Sequence, residues 1–188
     1  MRVIAGSHGG RRLKAPPGRA TRPTADRVKE ALFSIVGPFF SDGVCLDLFA
    51  GSGALGIEAL SRGCERAVFV DRQTAATIWE NVHALDLEDR SSVLQISWER
   101  ALDRLSSAAE RYSLVFIDPP YMTGLLVPCL RRLAAEGLPR HLATVVAETA
   151  RHLPTPVIPG LELVREAAYG DTKLCVYRYG GGWADGTG

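Results

Sequence analysis

The 188-residue sequence contains little of what marks a membrane-bound, secreted or metal-binding chain. No apolar run approaches the ~18 residues of a membrane-spanning helix, and the opening MRVIAGSHGG lacks the apolar core of a signal peptide. The four cysteines form no C-x-x-C pair, and the four histidines show no ligand spacing. We therefore expect buried, reduced thiols, no metal site, and a cytoplasmic protein without membrane association.

The composition is that of a single soluble domain with an uneven distribution of charge. Hydrophobic residues make up 46% of the chain and charged residues 23%, at a mean hydropathy of +0.03. Residues 1–30 hold eight basic and two acidic side chains, a net charge of +6, whereas the other 14 basic and 19 acidic side chains give −5. This basic segment suggests a polyanionic partner, and a solvated or disordered terminus is the alternative.

The N-terminal region predicts a hairpin, a linker and a helix. RVIAG and RRLKAP flank SHGG, and two basic strands around such a connector are typical of a β-hairpin. APPGRATRPT is a link rich in proline and glycine, with little regular structure. Apolar residues then recur at helical spacing from about 25 to 37, with Thr24 as the predicted N-cap. At the other end of the chain, residues 181–188 predict a disordered tail.

From residue 44 onward, short apolar runs alternate with helical patterns. We predict strands at Val44–Leu48, Ala67–Asp71, Ser91–Ile96, Leu114–Ile117 and Ala143–Glu148, with helices near 54–62, 74–86, 98–110 and 124–136. Runs such as LVFI are apolar throughout, as in parallel strands covered on both faces. The alternation indicates an open, doubly wound α/β sheet, and LELVREAAYG followed by TKLCVYRY predicts a final antiparallel hairpin.

A glycine-rich turn joins the first of these strands to the helix that follows it. Gly51–Gly56, GSGALG, matches G-x-G-x-x-G, and Asp71 follows about 20 positions later, as in NAD-binding folds. Gly51 and Gly53 let a ligand approach the backbone closely, and the helix N-terminus favours an anionic group. A pyrophosphate and a carboxylate both satisfy this requirement, so the glycines leave the cofactor open.

Two further features favour a cofactor other than NAD. Asp47, four residues before Gly51, would repel a pyrophosphate and attract the ammonium group of a methionine moiety. DPPY, at Asp118–Tyr121, follows the fourth strand, which we expect to neighbour the first and so to bring DPPY beside the glycine turn. DLFAGSG with DPPY is the motif pair of S-adenosylmethionine-dependent methyltransferases that act on exocyclic amines of nucleobases.

Longer segments are similar to one known family. RVIAGSHGGRRL, TRPTADRVKEALFSI, LDLFAGSGALGIEALSRG and VFVDR, together with DPPY, resemble the RsmD family of bacterial 16S rRNA guanine-N2 methyltransferases over most of residues 1–180. The resemblance implies a basic hairpin and linker at residues 1–23 and a methyltransferase domain at 24–180. That domain is expected to be a Rossmann-like class I methyltransferase, with a seven-stranded, mostly parallel sheet and an antiparallel final strand.

The resemblance also implies the substrate and the partners. The expected substrate is the exocyclic N2 of a guanine in 16S rRNA, guanine 966 in the family, and the cofactor is S-adenosylmethionine. The RNA is expected within a 30S subunit or an assembly intermediate, and the enzyme is expected to be a monomer.

Individual residues receive roles from the same resemblance. Asp118 and the carbonyl of Pro119 would accept the two hydrogens of the amine, Pro120 would fix the turn, and Tyr121 would stack on the base. The cofactor-binding residues are Thr24, Asp47, Phe49, Ala50, Gly51, Ser52, Gly53, Asp71, Arg72, Ser97 and Trp98. The RNA-binding residues are Arg2, Arg11, Arg12, Lys14, Arg22 and Arg27.

Several alternatives remain open at this point. Asp118 could be a turn-forming residue, Tyr121 a core tyrosine, and Asp71 a residue that simply ends a strand. QISWER departs from the family pattern after the third strand, so Trp98 either stacks on the adenine or belongs to the core.

The rival functions are a DNA adenine-N6 methyltransferase, a non-catalytic RNA-binding protein and an NAD-dependent oxidoreductase. The intact DPPY motif disfavours the last two, and the absence of a separate target-recognition region in the sequence disfavours the first.

Overall fold

The chain folds as an α/β protein. The computed structural model describes residues 1–16, 23–120 and 123–180, and the chain divides into two compact units, Met1–Trp98 and Glu99–Gly188. Seven strands in the described ranges form one mostly parallel sheet. The predicted alternation of strands and helices, and with it the α/β class, is confirmed.

The first unit contains three parallel strands in the order β3-β2-β1. Its elements are α1 (Pro23–Val36), β1 (Val44–Leu48), α2 (Ala54–Ser61), β2 (Arg66–Val70), α3 (Ala75–His83), a 3-10 turn (Glu88–Arg90) and β3 (Ser91–Leu94). Because the three strands are parallel, their carboxyl ends lie at the same edge. The segments that follow β1, β2 and β3 therefore meet there.

Burial of apolar surface fixes this arrangement. All but the first residue of β1 and of β2 is buried, as expected of parallel strands covered on both faces. α2 is buried on nearly every side, which is typical of an interior helix. Its one acidic residue, Glu58, is buried with it.

The second unit contains the remaining four strands in the order β4-β5-β7-β6. Its elements are α4 (Trp98–Ser106), which begins at the last residue of the first unit, β4 (Tyr112–Ile117), α5 (Leu126–Ala135), β5 (Pro139–Ala150), β6 (Leu161–Tyr169) and β7 (Thr172–Tyr179). β4 and β5 are parallel, whereas β7 is antiparallel to both β5 and β6. The predicted antiparallel final strand is confirmed.

α1 begins earlier than predicted. The helix starts at Pro23, so Thr24 lies inside the first turn and the prediction of Thr24 as the N-cap was wrong. Proline is favoured at the first helical position because its fixed φ suits the helix and its missing N–H has no helical partner there. The helix ends at Val36, and Gly37 follows with a φ of 132°.

Residues 1–16, which we name the basic arm, pair with themselves in an antiparallel manner as predicted. The Val3 N–H donates to the Arg11 carbonyl at 2.9 Å, and the Gly10 N–H donates to the Val3 carbonyl at 2.9 Å. Arg2 and Arg12 lie opposite each other in an isolated bridge. The hairpin is therefore a short ladder without two full strands. The linker at 17–22 and the predicted tail at 181–188 lie outside the described residues.

The cysteines follow the prediction, since all four are fully buried and none forms a disulfide in the described structure. In the three described ranges, no helix has the length and apolar character needed to cross a bilayer. Those same ranges hold no group of three or more histidine, cysteine, aspartate or glutamate side chains suited to a metal ion.

Candidate functional site

The turn between β1 and α2 adopts a conformation that favours glycine. Gly51 and Gly53 have φ values of 60° and 78°, in the left-handed region, and Gly53 is the N-cap of α2. Phe49 has a φ of 63°, a conformation that costs a non-glycine residue about 1–3 kcal/mol. Hydrogen bonds hold the turn, because Ala50 donates to the Val70 carbonyl at 3.0 Å and accepts from the Gly53 N–H at 2.7 Å. The backbone of the predicted cofactor turn is thus fixed from both sides.

Asp47 lies at the fourth position of β1 and is only 2% exposed. Its Oδ2 accepts a hydrogen bond from the Gly56 N–H at 2.9 Å. Burial raises the pKa of the Asp47 carboxyl to about 7; the Gly56 N–H opposes this rise and the nearby Asp71 carboxylate adds to it. No lysine or arginine in the described parts of the chain forms an ion pair with it. The site therefore holds a buried carboxyl group that a cationic ligand would stabilise in its charged form.

Asp71 follows β2 and organises two turns at the same edge of the sheet. Its Oδ2 accepts from the Gly51 N–H at 3.0 Å. Its Oδ1 accepts from the N–H groups of Gln73 and Thr74, at 2.8 and 2.9 Å, just before α3 begins. The carboxylate therefore ties the glycine turn to the start of α3. Its predicted role towards the ribose stays a prediction.

Gly56 allows α2 to pack closely on β2. A Cβ atom at this position would lie 2.3 Å from Cε1 of the buried Phe69 ring, far inside van der Waals contact. The third glycine of a G-x-G-x-x-G motif serves this close packing of helix on strand. The same approach brings the Gly56 N–H to the Asp47 carboxylate.

The other predicted cofactor residues lie around this edge. Ser97 and Trp98 follow β3 and are half-buried, and the indole N–H of Trp98 is buried without a hydrogen-bond partner in the described structure. Arg72 is exposed. Thr24 has its backbone in α1, but its side chain is outside the described part of the chain. The roles of these four residues stay predictions.

In the second unit, the DPPY segment follows β4 directly. Asp118 is half-buried, Pro119 is buried and Pro120 is exposed, whereas Tyr121 lies outside the described residues. The Thr123 hydroxyl donates to the Pro120 carbonyl at 2.7 Å. Thr123 was not expected from the sequence, and it engages the carbonyl that follows the predicted acceptor of Pro119.

The predicted RNA-binding side chains are accessible wherever the structure describes them. Five are exposed: Arg2, Arg11, Arg12, Lys14 and Arg27. Arg22 lies outside the described residues. Lys14 pairs with Glu80 at 3.0 Å, and the Arg11 guanidinium donates to the Ala84 carbonyl at 2.9 Å. Exposed ion pairs contribute only about 0–1 kcal/mol, so a phosphate can replace such a partner at little cost.

Known proteins are similar to this chain over most of its length. The family model described as "Conserved hypothetical protein 95" matches residues 1–178. The chain belongs to this family. The protein named "Ribosomal RNA small subunit methyltransferase D" of Escherichia coli (strain K12) is 33% identical over 181 residues, which cover 95% of this chain and 89% of that relative. The predicted resemblance to the RsmD family is therefore confirmed.

The similarity to RsmD family members extends over nearly whole chains. YlbH of Bacillus subtilis (strain 168) is 42% identical over 181 residues, which cover 95% of this chain and 98% of YlbH. The solved structure of yhhF from Escherichia coli is similar with a TM-score of 0.80 at 33% identity, covering 96% of this chain and 98% of that chain. The predicted methyltransferase fold is confirmed over the same range.

A buried charge cluster that the sequence did not predict anchors the basic arm of this RsmD family member. The Glu58 carboxylate is 0% exposed and accepts from the N–H groups of Ile4 and Ala5, at 2.7 and 3.0 Å. It also pairs with Lys29 at 3.1 Å and with Arg62 at 2.7 Å, and both of these side chains are buried. Burial acts to raise the pKa of Glu58, but the cations and N–H groups outweigh it and hold the pKa below its usual range. An acidic residue within the apolar run ALGIEALS was the available signal.

Asn81 is a second residue that the sequence analysis missed. It lies on α3 and is 2% exposed. Its Oδ1 accepts from the Lys14 N–H at 2.7 Å, and its Nδ2 donates to the Lys14 carbonyl at 3.0 Å and the Ser52 carbonyl at 2.9 Å. Asparagine is a poor helix former, so its position inside the helical pattern was the available signal.

Proposed function

We propose that this protein transfers a methyl group from S-adenosylmethionine to the exocyclic N2 of a guanine in 16S rRNA, guanine 966 by family resemblance. One observation carries the proposal: a member of this family has both a glycine turn beside the buried Asp47 and a DPPY segment directly after β4. We further propose that the protein acts as a monomer in the cytoplasm, on a 30S subunit or an assembly intermediate.

The chemistry requires the protein to align an amine and to accept its hydrogens. An exocyclic amine is a poor nucleophile because its lone pair is delocalised into the ring. We assign the Asp118 carboxylate and the Pro119 carbonyl as acceptors of the two amine hydrogens. Both hydrogen bonds strengthen as the nitrogen becomes tetrahedral, so they favour the transition state over the ground state. S-adenosylmethionine, when bound, supplies a methyl group already activated by the sulfonium.

The residues of the first unit fit this cofactor. An ammonium group placed against Asp47 would stabilise the buried carboxylate and lower its raised pKa. Asp71 already accepts three N–H bonds, and a carboxylate has about four acceptor positions, which leaves room for one hydroxyl. Binding both ribose hydroxyls through Asp71 therefore requires the Gly51 N–H to release it.

The RNA is assigned to the exposed cations of the basic arm and of α1. Arg2, Arg11, Arg12 and Lys14 are exposed on the arm, and Arg27 is exposed on α1. Each phosphate neutralised by such a side chain releases counterions, so affinity falls with salt. These phosphate contacts supply affinity but do not distinguish one RNA sequence from another, because phosphate contacts orient a nucleic acid and base contacts read its sequence.

Mass mapping of methylated nucleotides in small-subunit RNA tests the proposal. Subunits isolated without this protein should lack one N2-methylguanine, and adding the purified protein with S-adenosylmethionine should restore it. Asp118→Asn should reduce the rate by about 10²-fold or more, because the amide loses the charge that the transition state uses.

A matched control separates chemistry from folding. Asp103→Asn alters an exposed carboxylate on α4 and should leave the methylation rate near wild type. S-adenosylhomocysteine should bind wild type and Asp118→Asn with similar affinity. Identical methylation maps with and without the protein would refute the proposed activity.

A further inference from the structure

The basic arm and the glycine turn share one buried side chain. Asn81 uses Oδ1 and one N–H to bracket the backbone of Lys14, and its other N–H binds the Ser52 carbonyl inside the glycine turn. The arm contacts the same turn residue a second time, because the Ser52 hydroxyl donates to the Met1 sulfur at 3.4 Å. The segment assigned to RNA and the segment assigned to the cofactor are therefore joined within the first unit.

We infer that Asn81 is a positioning residue that couples binding of RNA at the basic arm to binding of cofactor at the glycine turn. This inference rests on the proposed function. We call the three hydrogen bonds of Asn81 to Lys14 and Ser52 the bracket, and the bracket is closed when all three are formed. In that state both the Lys14 backbone and the Ser52 carbonyl are fixed. A ligand that orders either segment stabilises the closed bracket, so the second ligand loses less conformational freedom on binding. Coupling between sites is reciprocal, so each ligand tightens the other by the same factor.

The geometry makes Asn81 sensitive to the position of both segments. The Asn81 amide makes three hydrogen bonds, and the side chain is only 2% exposed. If the arm moves, the amide and the Lys14 backbone each lose partners in a buried place where water does not easily replace them. The arm and the turn therefore change state together.

Besides the Glu58 cluster, the arm has an anchor at Ser61 that does not involve the glycine turn. The Ser61 hydroxyl donates to the Ala5 carbonyl at 2.6 Å and accepts from the His8 N–H at 2.9 Å. The Ser61 carbonyl also accepts from the Ser7 N–H at 2.8 Å. Loosening the arm at Ser61 should weaken its attachment without changing the contact between Asn81 and Ser52, so Ser61→Ala is the matched control.

The test measures the coupling factor directly. The affinity of unmethylated 30S subunits is measured with and without saturating S-adenosylhomocysteine, and the affinity of S-adenosylhomocysteine with and without saturating subunits. We expect each ligand to tighten the other by about fivefold or more in the wild type and in Ser61→Ala. In Asn81→Leu, which removes all three hydrogen bonds and leaves only the weak contact of Ser52 with Met1, the factor should fall well below the wild-type value. Asn81→Asp, which keeps only the acceptor, should behave like Asn81→Leu and serves if the leucine variant does not fold.

A second readout needs no ligand. Hydrogen exchange at the backbone N–H groups of residues 50–53 should be faster in the Asn81 variants than in Ser61→Ala. A purely structural role for Asn81 would lower stability but leave the coupling factor unchanged, and that result would overturn the inference. A coupling factor of one in the wild type would overturn it as well.

Failure of the inference can be told from failure of the proposed function. If both ligands bind but independently of each other, the coupling is absent while the proposed activity stands. If neither the subunits nor S-adenosylhomocysteine binds the wild type, the proposed function fails and the inference fails with it.

Discussion

Asp47 on β1 and Glu58 on α2 are both buried carboxyl groups, but their surroundings differ. In the described structure Asp47 accepts one hydrogen bond, from the Gly56 N–H, and burial raises its pKa to about 7. Glu58 has two N–H donors and two cations, and its pKa is held below the usual range despite burial. One carboxyl group is left without a cation in the described structure, and the other has two.

This difference in pairing gives the two carboxyl groups different roles: Glu58 stabilises the fold, and Asp47 is suited to binding a ligand. A buried charge is costly unless it is paired, so the cluster at Glu58 stabilises the charged form and fastens the arm to the fold. Asp47 destabilises the fold when it is charged, and a cationic ligand would relieve that cost.

The pH dependence of stability therefore has opposite signs at the two sites. The Glu58 contribution is present above its unfolded pKa and is lost as pH falls through its lower folded pKa. The Asp47 contribution is fully present below its ordinary pKa of 3.8 and is lost as pH rises from there to about 7.

Removing the Glu58 charge should have the largest effect on stability. Glu58→Gln leaves the buried cations of Lys29 and Arg62 without a counter-charge and should lower the free energy of unfolding by about 3–5 kcal/mol. Denaturant unfolding at pH 7 measures it. Glu80→Gln, which breaks an exposed pair with Lys14, is the control and should change stability by no more than about 1 kcal/mol. Equal effects of the two variants would show that the Glu58 cluster does not anchor the fold.

Asp47→Asn should act in the opposite direction at high pH. The amide cannot ionise, so the variant escapes the cost that builds up in wild type as pH rises from the ordinary pKa of 3.8 to about 7, and it should be about 2–4 kcal/mol more stable than wild type at pH 8.5. At pH 4.5 most of that advantage should vanish, because this pH lies close to the ordinary pKa of 3.8 and little of the cost has built up there. Unfolding curves at the two pH values measure the difference. An advantage independent of pH would mean that Asp47 does not titrate near neutrality.

Asp47→Asn should also lower the affinity for the cofactor, although it stabilises the fold. Wild-type affinity for S-adenosylhomocysteine should rise between pH 6 and 8 as Asp47 becomes charged and available to the ammonium group. Asp47→Asn should bind less tightly at pH 8 and should lose this rise. Calorimetric titration across that range measures both effects. A parallel pH profile in the variant would remove Asp47 from the cofactor site.

A methyl group added at Gly56 should have a smaller effect on stability. Gly56→Ala places a Cβ atom 2.3 Å from the Phe69 ring and should cost about 1–3 kcal/mol as α2 shifts away from β2. The shift also moves the Gly56 N–H away from Asp47. Phe69→Leu in the same chain should recover part of the loss, because the smaller side chain leaves room for the methyl group. Additive losses in the double variant would argue against a direct clash.

Sequence patterns predicted the elements whose signal is local. β1 was predicted at its observed bounds, Val44–Leu48, because an apolar run and a glycine turn define it. β5 was predicted at Ala143–Glu148 but runs from Pro139 to Ala150. Its first four residues, PRHL, form no apolar run, and they join the strand through pairing of Pro139 with Tyr112 on β4, beyond a shift in register. No pattern within β5 itself records that pairing.

In the candidate site, too, residues with a local sequence signal were predicted, and residues whose partners are distant in the sequence were missed. The glycine turn, Asp47 and Asp71 have fixed spacing along the chain, and the structure brings them together at one edge of the sheet. Glu58 and Asn81 bind backbone groups 53 to 67 residues away, in addition to nearer partners. Backbone groups carry no residue identity, so such contacts leave no motif.

Neutralising the arm should have the smallest effect on stability, although it should change RNA binding. Arg11→Gln, Arg12→Gln and Lys14→Gln together remove exposed charges and should change the free energy of unfolding by no more than about 1 kcal/mol. Affinity for small-subunit RNA should fall, and the slope of log affinity against log salt should become shallower by about 2 to 3, at 0.7–0.9 for each lost contact. Cofactor affinity in the absence of RNA should stay near wild type, because Asn81 binds the backbone of Lys14 and not its side chain.

Filter binding over a salt series measures that slope, with Arg100→Gln and Arg104→Gln on the exposed face of α4 as a control pair. If the arm is the RNA grip, the control pair should leave the slope nearly unchanged. If both sets reduce the slope equally for each charge removed, the RNA responds to overall charge and not to the arm. The cations of the basic arm would then have no specific role in RNA binding. Asp47 would be left as the one charged group of this comparison that is kept for a ligand and not used for folding.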